Sequence, residues 1–268
     1  MSLAASIVGD VIDERRGVLY PQRMPRFHRL PPPAAAAHLV AWFWIPEWEL
    51  APGETSRQDV VAYPALNLVV ERAGVEFVGA TTRATHRDLA GSGWAVGALL
   101  RPAAVTALTE DPAALRDTSI MLDAPDLLEA LVPVMDGRGD DRLETAVGIM
   151  SRWLVDRAGA PTDAELQANA MVERLMTDAD LRTAEQAATG MAVSLRTLQR
   201  LTHRHVGLPP LALIRRRRLQ EAAQRLREEP GTDLAALAAD LGYADHAHLT
   251  GDFREVLGIV PSGYRRTI

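Results

Sequence analysis

The stretch SLRTLQRLTHRHVG, residues 194–207, brings Arg196, Thr197, Gln199, Arg200, His203 and Arg204 close together. Arginine carries a rigid fork of donors, and glutamine offers a donor beside an acceptor. Both suit paired hydrogen bonds to base edges in the major groove of a duplex. On a helix, Arg196, Gln199, Arg200 and His203 stand three and four apart and share one face, while Leu195, Leu198 and Leu201 take the other. Arg204 falls nearer to phosphates, and Thr197 is grouped with the same set.

A second stretch, GYADHAHLTGDF at 242–253, holds Asp245, His246, His248 and Thr250, with Arg254 directly after it. Two histidines this close raise a metal site. Residues two apart on a helix point about 200° from each other, which argues against a shared ion. His28, His38 and His86 also lack the close spacing of a metal cluster, so no metal or other cofactor is expected. Cysteine is absent, which removes disulfides, thiolate metal sites and cysteine nucleophiles together. The chain also lacks a G-x-S-x-G elbow, and no enzymatic activity is expected of it.

The elements that must position these residues change character along the chain. Up to about residue 120 the pattern is β-rich. HLVAWFWIPEW sets Trp42 and Trp44 on one face of a strand that Pro46 is expected to end. These two tryptophans are the candidates for a ligand surface, weighed against the commoner role of core packing. ALNLVVERAGVEFVGA reads as two strands about a turn at Ala73-Gly74, and GSGWAVGALL as a further strand. Without βαβ alternation, a sandwich or small barrel of the double-sheet kind is expected. From Pro125 the period turns helical. Leu143, Val147, Met150 and Leu154 form an apolar stripe that fits either a dimer seam or packing on the chain's own sheet. AGAP at 158–161 reads as a linker.

The remainder reads as all-α. Thr162 with Glu165, and Thr183 with Gln186, have the spacing of capping boxes. Ala187 and Ala188, and later Ala235, Ala238 and Ala239, let a short helix cross its successor steeply, as in a helix-turn-helix. The plan occurs twice, about 50 residues apart, joined by a long helix over 211–228. Within that helix, the four arginines of IRRRR (214–218) spread around the axis. Phosphate contact stays open for at least one of them, and solvation or pairing with acids for the others.

The formal net charge of −6 hides an asymmetry. All 29 basic residues are arginine; 12 of them fall in 190–268 beside 8 acids, giving +4, which leaves 17 arginines and 27 acids, −10, for the first 189 residues. A basic end on an acidic chain suits one part that faces a polyanion and one that does not. MSLAASIVGDVIDERR meets three acids early and makes a poor signal peptide, and AAAAHLVAWFWI is too short to cross a bilayer. A soluble, cytoplasmic protein without membrane contact is expected.

Over roughly residues 165–267 the chain resembles the AraC/XylS transcriptional regulators. SLRTLQRLTHRHVGLPPLALIRRRRLQEAAQRL and LGYADHAHLTGDFREVLGIVPSGYR carry the resemblance, the second following the family's second-unit signature almost throughout. It implies about seven helices with two helix-turn-helix units, preceded by a region that binds an effector or a second subunit. Asp245 then caps the second recognition helix, His246, His248 and Thr250 approach DNA, and Arg254 lies nearer to phosphates. Gly251 stands where many relatives have a reaching side chain, and Ala192 stands at the usual turn glycine of the first unit.

The expected fold class is therefore α+β. Residues 1–157 form an effector-sensing or dimerising domain (β-rich to about 120, helical over 125–157), 158–164 a linker, and 165–268 the DNA-binding domain. The expected partners are double-stranded DNA, an unidentified small-molecule effector and, by the resemblance, RNA polymerase, with a homodimer left open. Activation is the family's commoner mode. The rival reading is an interaction protein that acts through its amino-terminal domain and whose DNA surface is weakened at Gly251.

Overall fold

The computed structural model describes residues 26–60 and 64–265. The expectation about a leader segment falls on residues 1–16 and lies outside them. The amino-terminal strands are β1 (Arg26–Leu30), β2 (Val40–Glu49), β3 (Thr55–Val60), β4 (Asn67–Glu71), β5 (Gly74–Val78), β6 (Thr85–Ala90), β7 (Ser92–Trp94), β8 (Val96–Leu100) and β9 (Ser119–Leu122). A large sheet runs β1-β2-β8-β4-β5-β9, with β7 also pairing β2, and β3 and β6 form a separate two-stranded ribbon. Every pairing is antiparallel. The hairpin from β4 to β5 turns at Arg72-Ala73, and Gly74, at φ 152°, opens the returning strand.

Pro46 does not end its strand. β2 runs through it to Glu49, because the missing N–H falls where β2 passes from β8 (Val40–Trp44) to β7 (Glu47–Glu49). The Pro46 carbonyl still accepts from the Ala95 N–H at 3.2 Å.

Helices follow: α1 (Pro102–Val105), a 3-10 turn at Pro112–Leu115, α2 (Pro125–Asp136) and α3 (Arg142–Ala158). The inward row of the sheet, Phe43, Ile45, Leu68, Val70, Phe77, Val96 and Ala98, shares one core with Leu127 and Leu131 of α2 and Val147, Met150 and Leu154 of α3. The stripe on α3 therefore packs on its own sheet. The α+β arrangement is as the sequence leads one to expect, a β-rich region followed by helices.

Among the described residues seven further helices follow: α4 (Asp163–Thr177), α5 (Ala184–Gly190), α6 (Leu195–Val206), α7 (Pro210–Glu228), α8 (Leu234–Asp240), α9 (His246–Leu257) and α10 (Pro261–Arg265). They hold two cores. Leu175, Leu181, Ala187, Ala188, Leu198 and Leu213 gather in one, and Leu219, Leu226, Ala238, Leu249, Phe253 and Tyr264 in the other. α7 contributes to both. Among the described residues no helix is long and apolar enough to cross a membrane.

The two halves of the chain touch closely. Asn169 on α4 accepts from the Ala103 N–H at 2.9 Å and donates to the His38 carbonyl at 2.8 Å. Thr106 donates to Glu165 at 2.9 Å. The ring Nδ1 of His205 on α6 lies 3.1 Å from the Pro102 carbonyl. A carbonyl can only accept, so Nδ1 carries the proton there.

Candidate nucleic-acid interface

Each short helix and its successor are set by local chemistry. In the first unit, Thr183 and Gln186 close the anticipated capping box, and Ala187 and Ala188 are buried against the neighbouring helices. The chain then turns through Ala192, a non-glycine residue at φ 54°. Ser194 caps α6 by accepting from the Thr197 N–H at 3.1 Å, and Gly207 at φ 77° ends it. The second unit repeats this. Asp233 caps α8, Gly242 makes the turn at φ 74°, Asp245 accepts from the His248 N–H at 2.8 Å, and Gly258 at φ 78° ends α9. Ala192 and Gly242 thus occupy equivalent left-handed turns.

The side chains follow from these caps. Leu198 is buried with Leu195 and Leu201 half-buried behind it, so Arg196, Gln199, Arg200, His203 and Arg204 stand exposed on the remaining surface of α6. Among the described residues no carboxylate lies within ion-pair distance of Arg196, Arg200 or Arg204. Thr197 is half-buried beside the Ser194 hydroxyl, at 2.8 Å, and belongs to the cap.

On α9, Leu249 and Phe253 enter the core while His246, His248, Gly251 and Arg254 are exposed and Thr250 is half-buried. Asp245 is taken up by its capping bond. His248 meets Tyr243 edge-on at 5.4 Å. No group of three or more metal-ligating side chains occurs among the described residues. Gly251 has open space where a Cβ would sit, so a longer side chain would project freely.

Sequence reasoning allowed pairing with acids for arginines of α7, as Arg215 shows, and missed how far the others are engaged. Arg215 holds Asp252 at 2.6 Å and Glu255 at 2.7 Å; Arg216 and Arg217 are buried and donate to the carbonyls of Val256 and Leu181 at 3.0 and 2.8 Å. Arg218 lies 3.8 Å over the Tyr243 ring. All four hold α7 against the units it joins. Arg182, also unremarked, packs on Gly242 and donates to the Asp240 carbonyl at 3.3 Å, linking one unit to the other.

Trp42 and Trp44 lie on the sheet face turned away from the helices and are half-buried. The Arg29 guanidinium sits 4.8 Å from the Trp42 ring centre, and the Trp44 indole donates to Asn67 at 3.1 Å. Trp44 covers Gly97, where a Cβ would fall 2.0 Å from the indole.

Comparison with known proteins agrees with this geometry. The helix-turn-helix domain family matches residues 187–267, and a domain of unknown function matches residues 28–121. AraC-like transcription regulators of Streptomyces antibioticus and Streptomyces lividans are 33% and 35% identical over 124 and 125 residues. Each match spans 46% of this chain and 39% of the relative's own length. Among solved structures, ToxT of Vibrio cholerae has a TM-score of 0.42 at 9% identity, covering 84% of this chain and 98% of that one. The AraC-like activator CuxR has a TM-score of 0.24 at 15% identity, covering 75% and 95%. Two capped units of one design, joined by α7, thus make up a helix-turn-helix domain over residues 187–267.

Proposed function

We propose that this protein is a sequence-specific DNA-binding transcription regulator. In this reading α6 enters one major groove, where Arg196, Gln199 and Arg200 read base edges, with Arg204 nearer to phosphates. α9 enters the next groove with His246, His248 and Thr250, and Arg254 lies toward the backbone. The 19 residues of α7 span about 28 Å at ~1.5 Å each. That length suits recognition helices roughly 34–36 Å apart, one turn of DNA. The observation that carries the proposal is the exposed row on α6, whose arginines have no acidic partner among the described residues although every arginine of 215–218 is engaged.

The amino-terminal half serves as the sensing part, with Trp42, Trp44, Arg29 and Asn67 as the surface for an organic effector. Contact with RNA polymerase, activation as the mode and a cytoplasmic setting follow from the family resemblance. The test is selection of genomic fragments on the purified protein, repeated with the Arg196→Ala, Gln199→Ala double variant. Each lost bidentate contact should cost about 1–3 kcal/mol of discrimination, so the double variant should retain DNA with a degenerate motif. The same motif bound with the same affinity would refute the assignment.

A further inference from the structure

The 3-10 turn Pro112–Leu115 stands directly beside α6. A Cβ on Gly207 would fall 2.5 Å from the Pro112 carbonyl oxygen, so the turn rests against the end of the recognition helix with no room between them. Beside this contact opens a cleft of about 360 Å³, lined by Arg116 from the amino-terminal half and by Gln199 and His203 from α6, with Ala113, Gly207 and Pro209 as its remaining walls. Its polar groups bear N–H donors: a guanidinium, an amide and an imidazole. Among the described residues no acidic side chain lines it.

Arg116 is exposed, and among the described residues no carboxylate stands within ion-pair distance of it. The acids that flank it in sequence are already engaged. Asp111 caps the turn, accepting from the Ala113 and Ala114 N–H groups at 3.1 and 3.2 Å. Asp117 accepts from the Thr82 N–H at 2.6 Å and from its hydroxyl at 2.7 Å. These bonds fix the backbone on both sides of Arg116, so the guanidinium is carried by a held turn and not by a loose loop.

We infer that this cleft is a phosphate seat, in which Arg116 grips a phosphate group together with His203. An arginine fork beside a further donor matches the several acceptor oxygens of a phosphate. The inference rests on the reading of α6 as a recognition helix: a duplex that Gln199 reaches brings its backbone past His203, one turn further along the same helix. The amino-terminal half would then touch DNA itself. A small phosphorylated molecule would satisfy the same donors.

The experiment is a salt titration of full-length protein on a DNA fragment that it selects, comparing wild type with Arg116→Ala and Arg116→Lys. Loss of one phosphate contact lowers the slope of log K against log salt by about 0.9. The expected result is that reduction in Arg116→Ala, restoration in Arg116→Lys and an unchanged preferred sequence. In parallel, inorganic phosphate is titrated while the His203 ring resonance is followed by NMR. An unchanged slope, with phosphate moving that resonance in wild type and not in Arg116→Ala, assigns the seat to a small phosphorylated molecule. If neither readout responds, or if Arg116→Ala binds DNA more tightly, the inference is overturned. A wild type that selects no DNA would refute the proposed function, and the phosphate titration would still judge the cleft.

Discussion

His205 is buried at the junction of α6 with α1, and its ring is held between the Pro102 carbonyl and the charge of Arg204. Burial pushes its pKa below the ordinary imidazole value and outweighs the upward pull of the Pro102 carbonyl, while Arg204 adds to the lowering and Glu165 opposes it. The folded protein therefore prefers the neutral ring more than the unfolded chain does. The stability tied to that preference is present above an unfolded value of about 6.5 and is lost as pH falls through the lower folded value. Wild type should lose more melting temperature between pH 7 and pH 5 than His205→Asn, whose amide can still donate to Pro102 and does not titrate. Parallel melting curves for the two proteins would contradict this.

At the scale of elements, the two helix-turn-helix units differ where their chemistry is most local. Ala192 holds the left-handed turn that Gly242 makes in the second unit. For a residue with a Cβ that conformation costs about 1–2 kcal/mol, so Ala192→Gly should recover part of it, raising the denaturation midpoint while leaving the DNA motif unchanged. Gly251 presents the reverse case, a glycine inside α9 with nothing near its Cβ position. Gly251→Ala should stabilise by about 1 kcal/mol, read by urea unfolding, and Gly251→Arg should add a backbone contact that steepens the salt dependence of binding.

These units were legible because their signals are short-range. The capping boxes at Thr162 and Thr183, the small residues of α5 and α8, and the cap at Asp245 each act within a few positions. Pro46 was misread because what decides its place is the change of partner from β8 to β7, which lies outside its own strand. The arginines of α7 were open for a similar reason. Their partners, Leu181, Tyr243, Asp252, Glu255 and Val256, are known only once the helices are packed.

At the scale of the whole molecule, the contact between the halves depends on pairs far apart in the chain. Asn169 and His38 are separated by 131 residues and His205 and Pro102 by 103, which no local pattern announces. The AGAP segment lies between α3 and α4, yet α4 docks at once on α1 through Asn169, so the halves are held together and not merely tethered. Asn169→Leu would orphan the Ala103 N–H and the His38 carbonyl at a cost of about 1–3 kcal/mol for each buried group. Calorimetry should show one unfolding transition in wild type giving way to two in the variant. A single transition merely shifted downward would mean that the other contacts suffice to couple the halves.

The inward commitment of α7 also bears on how the protein finds its target. Arg225 and Arg265 join that internal set, pairing with Glu221, Asp240 and the Thr232 carbonyl. On the carboxy-terminal helices Arg196, Arg200, Arg204 and Arg254, on α6 and α9, are exposed and have no acidic partner among the described residues. Attraction to random DNA grows with each phosphate neutralised. A molecule whose α7 arginines are bound within its own helices holds non-cognate duplex weakly and lets go of it quickly. Its genomic search should therefore run by frequent release and re-landing more than by long sliding, with residence reserved for sites where α6 finds its bases.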